Sequence, residues 1–140
     1  MVTYNKFESF VGQLGLAGHE LNADILRVAL VNSPAPVDTN ELFGDLTEIA
    51  AGNGYVAGGD DVTNLYSEAL GVGTMTATDV VFTASGGTIG PFRYVILYND
   101  KTGPPLDPLV AWWDYGSNLT LQDQESFTVD FQSDQILTIT

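Results

Sequence analysis

The one histidine is the first residue to consider for chemistry. A Ser–His–Asp triad would require His19 to be buried beside a serine and a carboxylate, and the chain holds no GxSxG motif to supply the serine. His19 directly follows a predicted helix, where a histidine is more typical of a surface position that interacts with the helix dipole. We therefore predict that His19 is not catalytic.

Asp114 has the most suggestive setting among the eighteen acidic residues, because Trp112 and Trp113 precede it and Tyr115 follows it. A pair of carboxylates beside aromatic rings would fit glycoside hydrolysis, but so many acids make chance pairs unavoidable. On a strand, Trp112 and Asp114 share one face while Trp113 and Tyr115 share the other. The pattern favours one face in the core and an aromatic patch on the other, so we predict no enzymatic activity.

Metal and cofactor sites find little support in the sequence. Calcium prefers oxygen-rich loops, and two loops qualify by composition, one with Asp60 and Asp61 and one with Asp123 and Glu125. Neither matches the EF-hand spacing, and the Gly-rich residues 50–61 lack both the P-loop lysine and the GxGxxG pattern. Solvated acidic turns are the favoured interpretation, so no metal or cofactor is expected.

Four aromatic residues are instead predicted to form an interface: Tyr55, Trp112, Trp113 and Tyr115. Tryptophan and tyrosine bury a large area at a low cost in conformational entropy, which suits them to binding surfaces. An exposed flat ring would also make Trp112 or Trp113 a platform for a sugar. A carbohydrate-binding module is therefore one alternative for the function.

The charge balance limits the possible partners. Four Lys and Arg face eighteen Asp and Glu, for a net charge of −14, which argues against direct binding of nucleic acid or of anionic lipid. The chain has no cysteine, so disulfides and thiolate metal sites are excluded. We expect no signal peptide and no membrane span, and hence a protein made in a cytosol.

The elements that position these residues are mostly strands. The spacing of Phe7, Phe10, Val11 and Leu14 predicts one short N-terminal helix, which Asn5 and Glu8 would cap. Beyond it, β-rich segments alternate with turns, and residues 92–98 (FRYVILY) are typical of a strand buried on both faces. Other strands are predicted at 24–33, 46–49, 74–84, 109–115, 119–121, 126–131 and 136–140, with a helical turn at 40–43.

This succession predicts a single mainly β domain over residues 1–140. Seven or eight short strands separated by turns are typical of an antiparallel β-sandwich or barrel, jelly-roll-like, here with a short N-terminal α-helix. The Gly-rich residues 50–61 and the Pro-rich residues 99–108 look mobile. As extended arms they would make β-type hydrogen bonds to a neighbouring molecule.

Three segments resemble a family of small structural proteins of tailed bacteriophages. They are residues 46–59 (LTEIAAGNGYVAGG), 79–100 (DVVFTASGGTIGPFRYVILYND) and 105–117 (PLDPLVAWWDYGS). Residues 4–14 and 19–33 resemble the start of the same family, so that the resemblance extends over nearly the whole chain. These motifs mark a family but carry no known chemistry.

The resemblance implies a virion protein, most specifically a capsid decoration (cement) protein on the outside of the shell. Its partners would be the major capsid protein and further copies of itself, commonly as a homotrimer. It would be made in the cytoplasm of the bacterial host. A tail or fibre component remains the alternative within the same class.

Overall fold

The computed structural model describes residues 2–140 and confirms the predicted fold class, a mainly β, antiparallel, sandwich-like structure with one short N-terminal helix, α1 (Glu8–Gly15). Two 3-10 turns, Phe43–Asp45 and Gln132–Asp134, join the strands. The strands are β1 (Thr3–Lys6), β2 (Ile25–Val31), β3 (Asp60–Asp61), β4 (Leu65–Ala69), β5 (Val72–Thr76), β6 (Val80–Thr83), β7 (Ile89–Asp100), β8 (Leu109–Leu121), β9 (Ser126–Val129) and β10 (Gln135–Ile139).

Five strands form the main sheet, in the order β1-β8-β7-β2-β3, with antiparallel neighbours throughout. The long strand β7 lies at its centre, paired with β8 on one side and β2 on the other. The side chains from Tyr94 to Asn99 are all buried, so the prediction of a central strand buried on both faces is confirmed.

Each face of β7 contributes to a different core. Phe92, Val95 and Leu97 belong to the larger cluster, whereas Tyr94, Ile96 and Tyr98 belong to the smaller one on the opposite face. Phe92 and Tyr94 would share a face on a regular strand. A shift in the pairing of β7 with β8 between these two residues breaks the alternation and sends Phe92 to the other side.

Two smaller sheets cover the larger core, one of β10-β5-β4 and one of β6-β9. They contribute buried side chains such as Met75, Phe82 and Val129. The opposite face of the main sheet is covered by Phe7 and by residues of the long connection after β2. There Phe43 stacks flat on Tyr98, with 4.2 Å between ring centroids.

The Gly-rich residues 50–61 are held on the main sheet, so the expectation of an extended arm is wrong for this segment. The Tyr55 hydroxyl accepts a bond from the Leu30 amide at 3.0 Å and donates to a Glu48 carboxylate oxygen at 2.6 Å. The Tyr98 hydroxyl donates to the Gly58 carbonyl at 2.6 Å. Gly59 has a positive φ, and a Cβ there would collide with the backbone of β2, so only glycine allows this close approach.

The start of the helix differs from the prediction. Asn5 lies in β1 and not at a cap, and Phe7 occupies the N-cap position without a side-chain cap bond. The Glu8 amide is satisfied instead by the Asp38 carbonyl at 2.9 Å, a contact from a distant segment. Val11, predicted to face the core, is exposed, while Phe10 is buried as expected.

Several strand boundaries also differ. The predicted strand at 74–84 is two strands, β5 and β6, because the Ala77 amide turns away to bond the Asp134 carbonyl at 2.8 Å. The segments predicted at 109–115 and 119–121 are one strand, β8, which continues through Gly116. Residues 46–49 form no strand and pair only through the isolated bridge of Glu48 with Val31, and the helical turn lies at Phe43–Asp45.

We expect Leu97→Ala to lower the free energy of unfolding by about 2–5 kcal/mol, because the side chain is fully buried and its removal leaves a cavity. Leu106→Ala, at an exposed position, is the matched control and should cost less than about 0.5 kcal/mol. Urea denaturation of both variants measures the difference. A Leu97→Ala cost as small as that of the control would mean that β7 does not form the core of the domain.

Candidate functional site

A groove of about 520 Å³ lies between the outer strands of the main sheet and the strands β9 and β10. Its aromatic residues come from β1 and β8 on one side and from the segment after β9 on the other. Polar residues of β9 and β10 complete the walls. The lining consists of Val2, Tyr4, Trp113, Tyr115, Thr128, Val129, Asp130, Phe131, Gln132, Gln135 and Ile136.

The aromatic rings of the groove hold one another through edge contacts. Trp113 lies between Tyr4, at 5.6 Å between centroids and 61° between planes, and Phe131, at 5.9 Å and 63°. Tyr115 packs edge-on against Phe127 at 5.0 Å. Tyr4 is 45% exposed, and Trp113 and Tyr115 are half-buried. The groove therefore offers apolar surface that is already ordered and needs little rearrangement to bind.

The pairing of β1 with β8 explains how this surface forms. Tyr4 is directly opposite Trp113 in the antiparallel register, where side chains of facing residues meet on one side of the sheet. Trp113 and Tyr115 lie on the same face of β8, as the alternation predicts, and both pack against the larger core. Sequence alternation could identify these two residues, whereas Tyr4 and Phe131 required knowledge of the strand partners.

The polar lining is neutral or acidic. Thr128, Gln132 and Gln135 offer hydroxyl and amide groups, and Asp130 is the one charged residue of the lining. Burial raises the pKa of the Tyr115 phenol, and the nearby Asp130 carboxylate raises it further. The groove therefore combines apolar rings with neutral hydrogen-bonding groups, an arrangement that suits an uncharged polar ligand or an apolar protein segment and disfavours an anion.

The opposite face of β8 is structural. Trp112 is buried against Phe7, with 4.5 Å between ring centroids. Asp114 accepts two hydrogen bonds from Arg93, at 2.8 and 3.1 Å, and a third from the Gly116 amide at 2.7 Å. The Arg93 guanidinium holds the pKa of the Asp114 carboxyl below its usual range. The Asp114 carboxylate is therefore held by hydrogen bonds from Arg93 and from the backbone amide of Gly116.

Two of the four predicted interface residues are buried, Trp112 in the smaller core and Tyr55 in the larger one. Tyr55 is 2% exposed and Trp112 8% exposed, so neither offers a surface to a partner or a sugar. The prediction failed for Tyr55 because its hydroxyl accepts a hydrogen bond from the Leu30 amide in β2. The local sequence does not indicate this contact. The structure brings the other two, Trp113 and Tyr115, together in the groove.

His19 is buried, contrary to the surface position predicted from its place after the helix. Its Nδ1 lies 3.1 Å from the side-chain nitrogen of Asn99, which also donates to a carboxylate oxygen of Asp24. Lys101 approaches the same carboxylate at 3.8 Å and donates to the Gly18 carbonyl at 3.1 Å. The His19 ring packs against Phe10, 5.0 Å away. This cluster fastens the segment after α1 to the end of β7.

The carboxylates of the two acidic loops accept hydrogen bonds from backbone amides, within the loop for Asp61 and Glu125 and from another loop for Asp123. Asp61 accepts a bond from the Thr63 amide at 2.7 Å, and Asp123 one from the Gly86 amide at 2.8 Å. Glu125 accepts one from the Gln122 amide at 2.8 Å. Across residues 2–140, no three His, Asp or Glu side chains are grouped so that they would hold a metal ion.

Comparisons with family models, with curated proteins and with solved structures give no match for this chain. Within the described part of the chain, no helix has the length and apolar character needed to cross a membrane. The groove and its neighbours therefore have to be interpreted from their own chemistry.

Burial of His19 predicts a specific pH dependence of stability. Burial lowers the pKa of His19 from 6.5 to about 4. The Asp24 carboxylate raises this pKa, and the positive charge of Lys101 lowers it. The unfolded chain then binds a proton more readily than the folded one. The stabilisation is complete above pH 6.5 and is lost as the pH falls toward 4, by up to about 3 kcal/mol.

The test compares wild type with His19→Asn by urea denaturation between pH 4 and 7. His19 is the only histidine, so the difference between the two curves isolates its titration. We expect the wild-type stability to fall more steeply than that of the variant in this window. Parallel curves would show that His19 is accessible to protons in the folded state.

Proposed function

We propose that this chain is a structural attachment protein of a tailed-phage particle, most specifically a decoration protein on the outside of the capsid. The observation that carries the proposal is the groove with Tyr4, Trp113 and Tyr115, where ordered aromatic rings are accessible to a partner. Aromatic side chains in a recess are the residues that contribute most to binding energy at protein interfaces.

The charge distribution supports attachment through apolar and hydrogen-bonding contacts. Three of the four cationic residues are engaged with carboxylates of the same chain, in the pairs Arg27–Asp100, Arg93–Asp114 and Lys101–Asp24. The net charge of −14 is therefore carried on a surface with few accessible cations. Such a surface repels other acidic surfaces, and a groove with one carboxylate is a place where a neutral partner can approach closely.

The step from an attachment protein to a phage shell rests on the resemblance of residues 46–59, 79–100 and 105–117. These segments include the central strand β7 and β8 as far as Ser117, with Trp113 and Tyr115. The partner is accordingly the major capsid protein. A decoration protein requires a rigid body and a binding surface, and both are features of this domain.

The test uses phage particles that carry this chain, depleted of it and then incubated with the purified protein. Tyr4→Ser removes an exposed ring from the groove, and Trp113→Phe reduces the apolar surface of the groove while it keeps an aromatic ring against the larger core. Leu106→Ser changes an exposed apolar residue elsewhere and is the matched control. We expect both groove variants to bind at least ten-fold more weakly than the control, and binding to persist in 1 M NaCl.

Equal retention of all three variants would exclude the groove as the attachment site. Release in 1 M NaCl with retention in 0.1 M NaCl would show that pairing of charges to a basic shell holds the protein instead. Electron cryomicroscopy of the particle then locates the density. Density on the tail and not on the shell would replace decoration by a tail or fibre role.

The groove also favours a second candidate, a carbohydrate-binding module. Aromatic rings beside Gln132, Gln135 and Asp130 provide the apolar surface and the hydrogen-bonding groups that a neutral sugar uses. Calorimetric titration with cello-, malto- and N-acetylglucosamine oligosaccharides tests it. Saturable binding that Trp113→Phe weakens and Leu106→Ser does not would favour the sugar, and the absence of heat with all three series would reject it.

A further inference from the structure

The hairpin of β4 and β5 presents an open sheet edge. β4 is the outermost strand of the sheet β10-β5-β4, and its residues are exposed except for Tyr66, which packs against the larger core. A strand in this position leaves a row of backbone donors and acceptors ready to pair with another strand. Natural edges are commonly protected by charged side chains, especially lysine, or by proline, and β4 has one charge, Glu68, and no lysine or proline.

The hairpin is nearly neutral in an otherwise strongly acidic chain. Between Asp61 and Asp79 the sequence contains one charged residue, Glu68. Its carboxylate turns back on the hairpin and accepts a bond from the Gly71 amide at 2.7 Å. Two copies of a chain with net charge −14 approach each other with less repulsion through such a segment than through an acidic one, so a second copy can pair with this edge.

The register of the hairpin fixes which groups point outward. Leu70 and Gly71 both have positive φ and form the two-residue turn, and Ala69 pairs with Val72. In this type of hairpin the closing pair is hydrogen-bonded, and hydrogen-bonded pairs then alternate along the strands. The backbone groups of Tyr66 and Glu68 are therefore directed away from β5, toward the open edge.

When β4 of a second copy pairs antiparallel with this edge, with Ser67 opposite Ser67, the free backbone groups of both Tyr66 and Glu68 are used. Tyr66 of each copy is then hydrogen-bonded to Glu68 of the other, and the two Ser67 residues face each other on the twofold axis. Leu65 of one copy lies opposite Ala69 of the other, on the outer face of the joined sheet. The two Glu68 side chains are never directly opposite, so the pairing avoids the most unfavourable contact between like charges.

Leu70 provides a second, independent indication. It is fully exposed and has a φ of 54°, a conformation that is unfavourable for a bulky side chain. Neither packing nor backbone preference within one copy explains a leucine here. Pairing centred on Ser67 places Leu70 opposite Asn64 of the other copy. Next to Asn64 in the chain, Thr63 and Leu65 line a recess of about 330 Å³, whose walls also include the carboxylates of Asp79 and Asp134.

We propose that two copies of this chain associate through their β4 edges, in antiparallel register about Ser67, to form a continuous six-stranded sheet. The proposal is independent of the groove and of the attachment to a shell. The contact is small, and the net charge opposes it, so association strengthens as salt shortens the Debye length from about 10 Å at 0.1 M to about 3 Å at 1 M. The twofold arrangement ends at a dimer and differs from the homotrimer that the resemblance implies.

The sharpest test is cross-linking through engineered cysteines, because the chain has none of its own. In Ser67→Cys the two thiols face each other at a non-hydrogen-bonded pair, where the separation of the Cα atoms suits a disulfide. In Thr74→Cys, the cross-strand neighbour of Ser67 on β5, each thiol is one strand farther from the axis. We expect at least ten-fold more covalent dimer from Ser67→Cys under oxidised glutathione in 1 M NaCl.

Sedimentation equilibrium of the unmodified chain gives the state in solution. A monomer–dimer equilibrium that shifts toward dimer between 0.1 and 1 M NaCl, and that Ser67→Lys weakens while Thr74→Lys does not, supports the edge pairing. Equal cross-linking of the two cysteine variants, a trimer, or a monomer at all salt concentrations would overturn it. Circular dichroism confirms that each variant is folded, so that a loss of association reports the edge alone.

Discussion

The structure depends on the burial of both faces of β7. An antiparallel sheet commonly leaves one face to water, but β7 carries apolar side chains on both, with Leu97 in the larger core and Ile96 in the smaller. Two separate covers are therefore needed. The small sheets provide one, and Phe7 with the connection after β2 provides the other. The stacking of Phe43 on Tyr98 follows from this requirement.

The features that local sequence could predict are those set by neighbouring residues. The continuous apolar run predicted the central strand, and simple alternation placed Trp113 and Tyr115 on one face. The failures concern residues whose partners are distant in sequence. His19 is buried because Asn99, eighty residues away, meets its ring, and Tyr55 is buried because the Leu30 amide needs an acceptor. Composition marked the glycines as mobile, whereas their hydrogen-bonding partners fix them.

In the candidate groove too, some features follow from neighbouring residues and others from contacts between distant segments. Its centre on β8 follows from alternation, but the groove forms only because β1 pairs with β8 and sets Tyr4 opposite Trp113. Phe131 joins them from the segment between β9 and β10. A groove made by strands from both ends of the chain depends on the complete fold. The proposed binding through this groove would therefore depend on the pairing of the terminal strands with the central sheet.

The distribution of charge limits the surfaces through which this protein can associate. Arg27, Arg93 and Lys101 are paired with carboxylates of the same chain, so few cations remain to attract a partner, while the excess of carboxylates repels copies and acidic surfaces alike. Contact is easier where carboxylates are scarce, as they are in the groove and on the β4–β5 hairpin. One presents aromatic rings and the other free backbone groups. The association proposed above relies on shape and main-chain bonds, so salt is expected to weaken the repulsion more than it weakens the contacts.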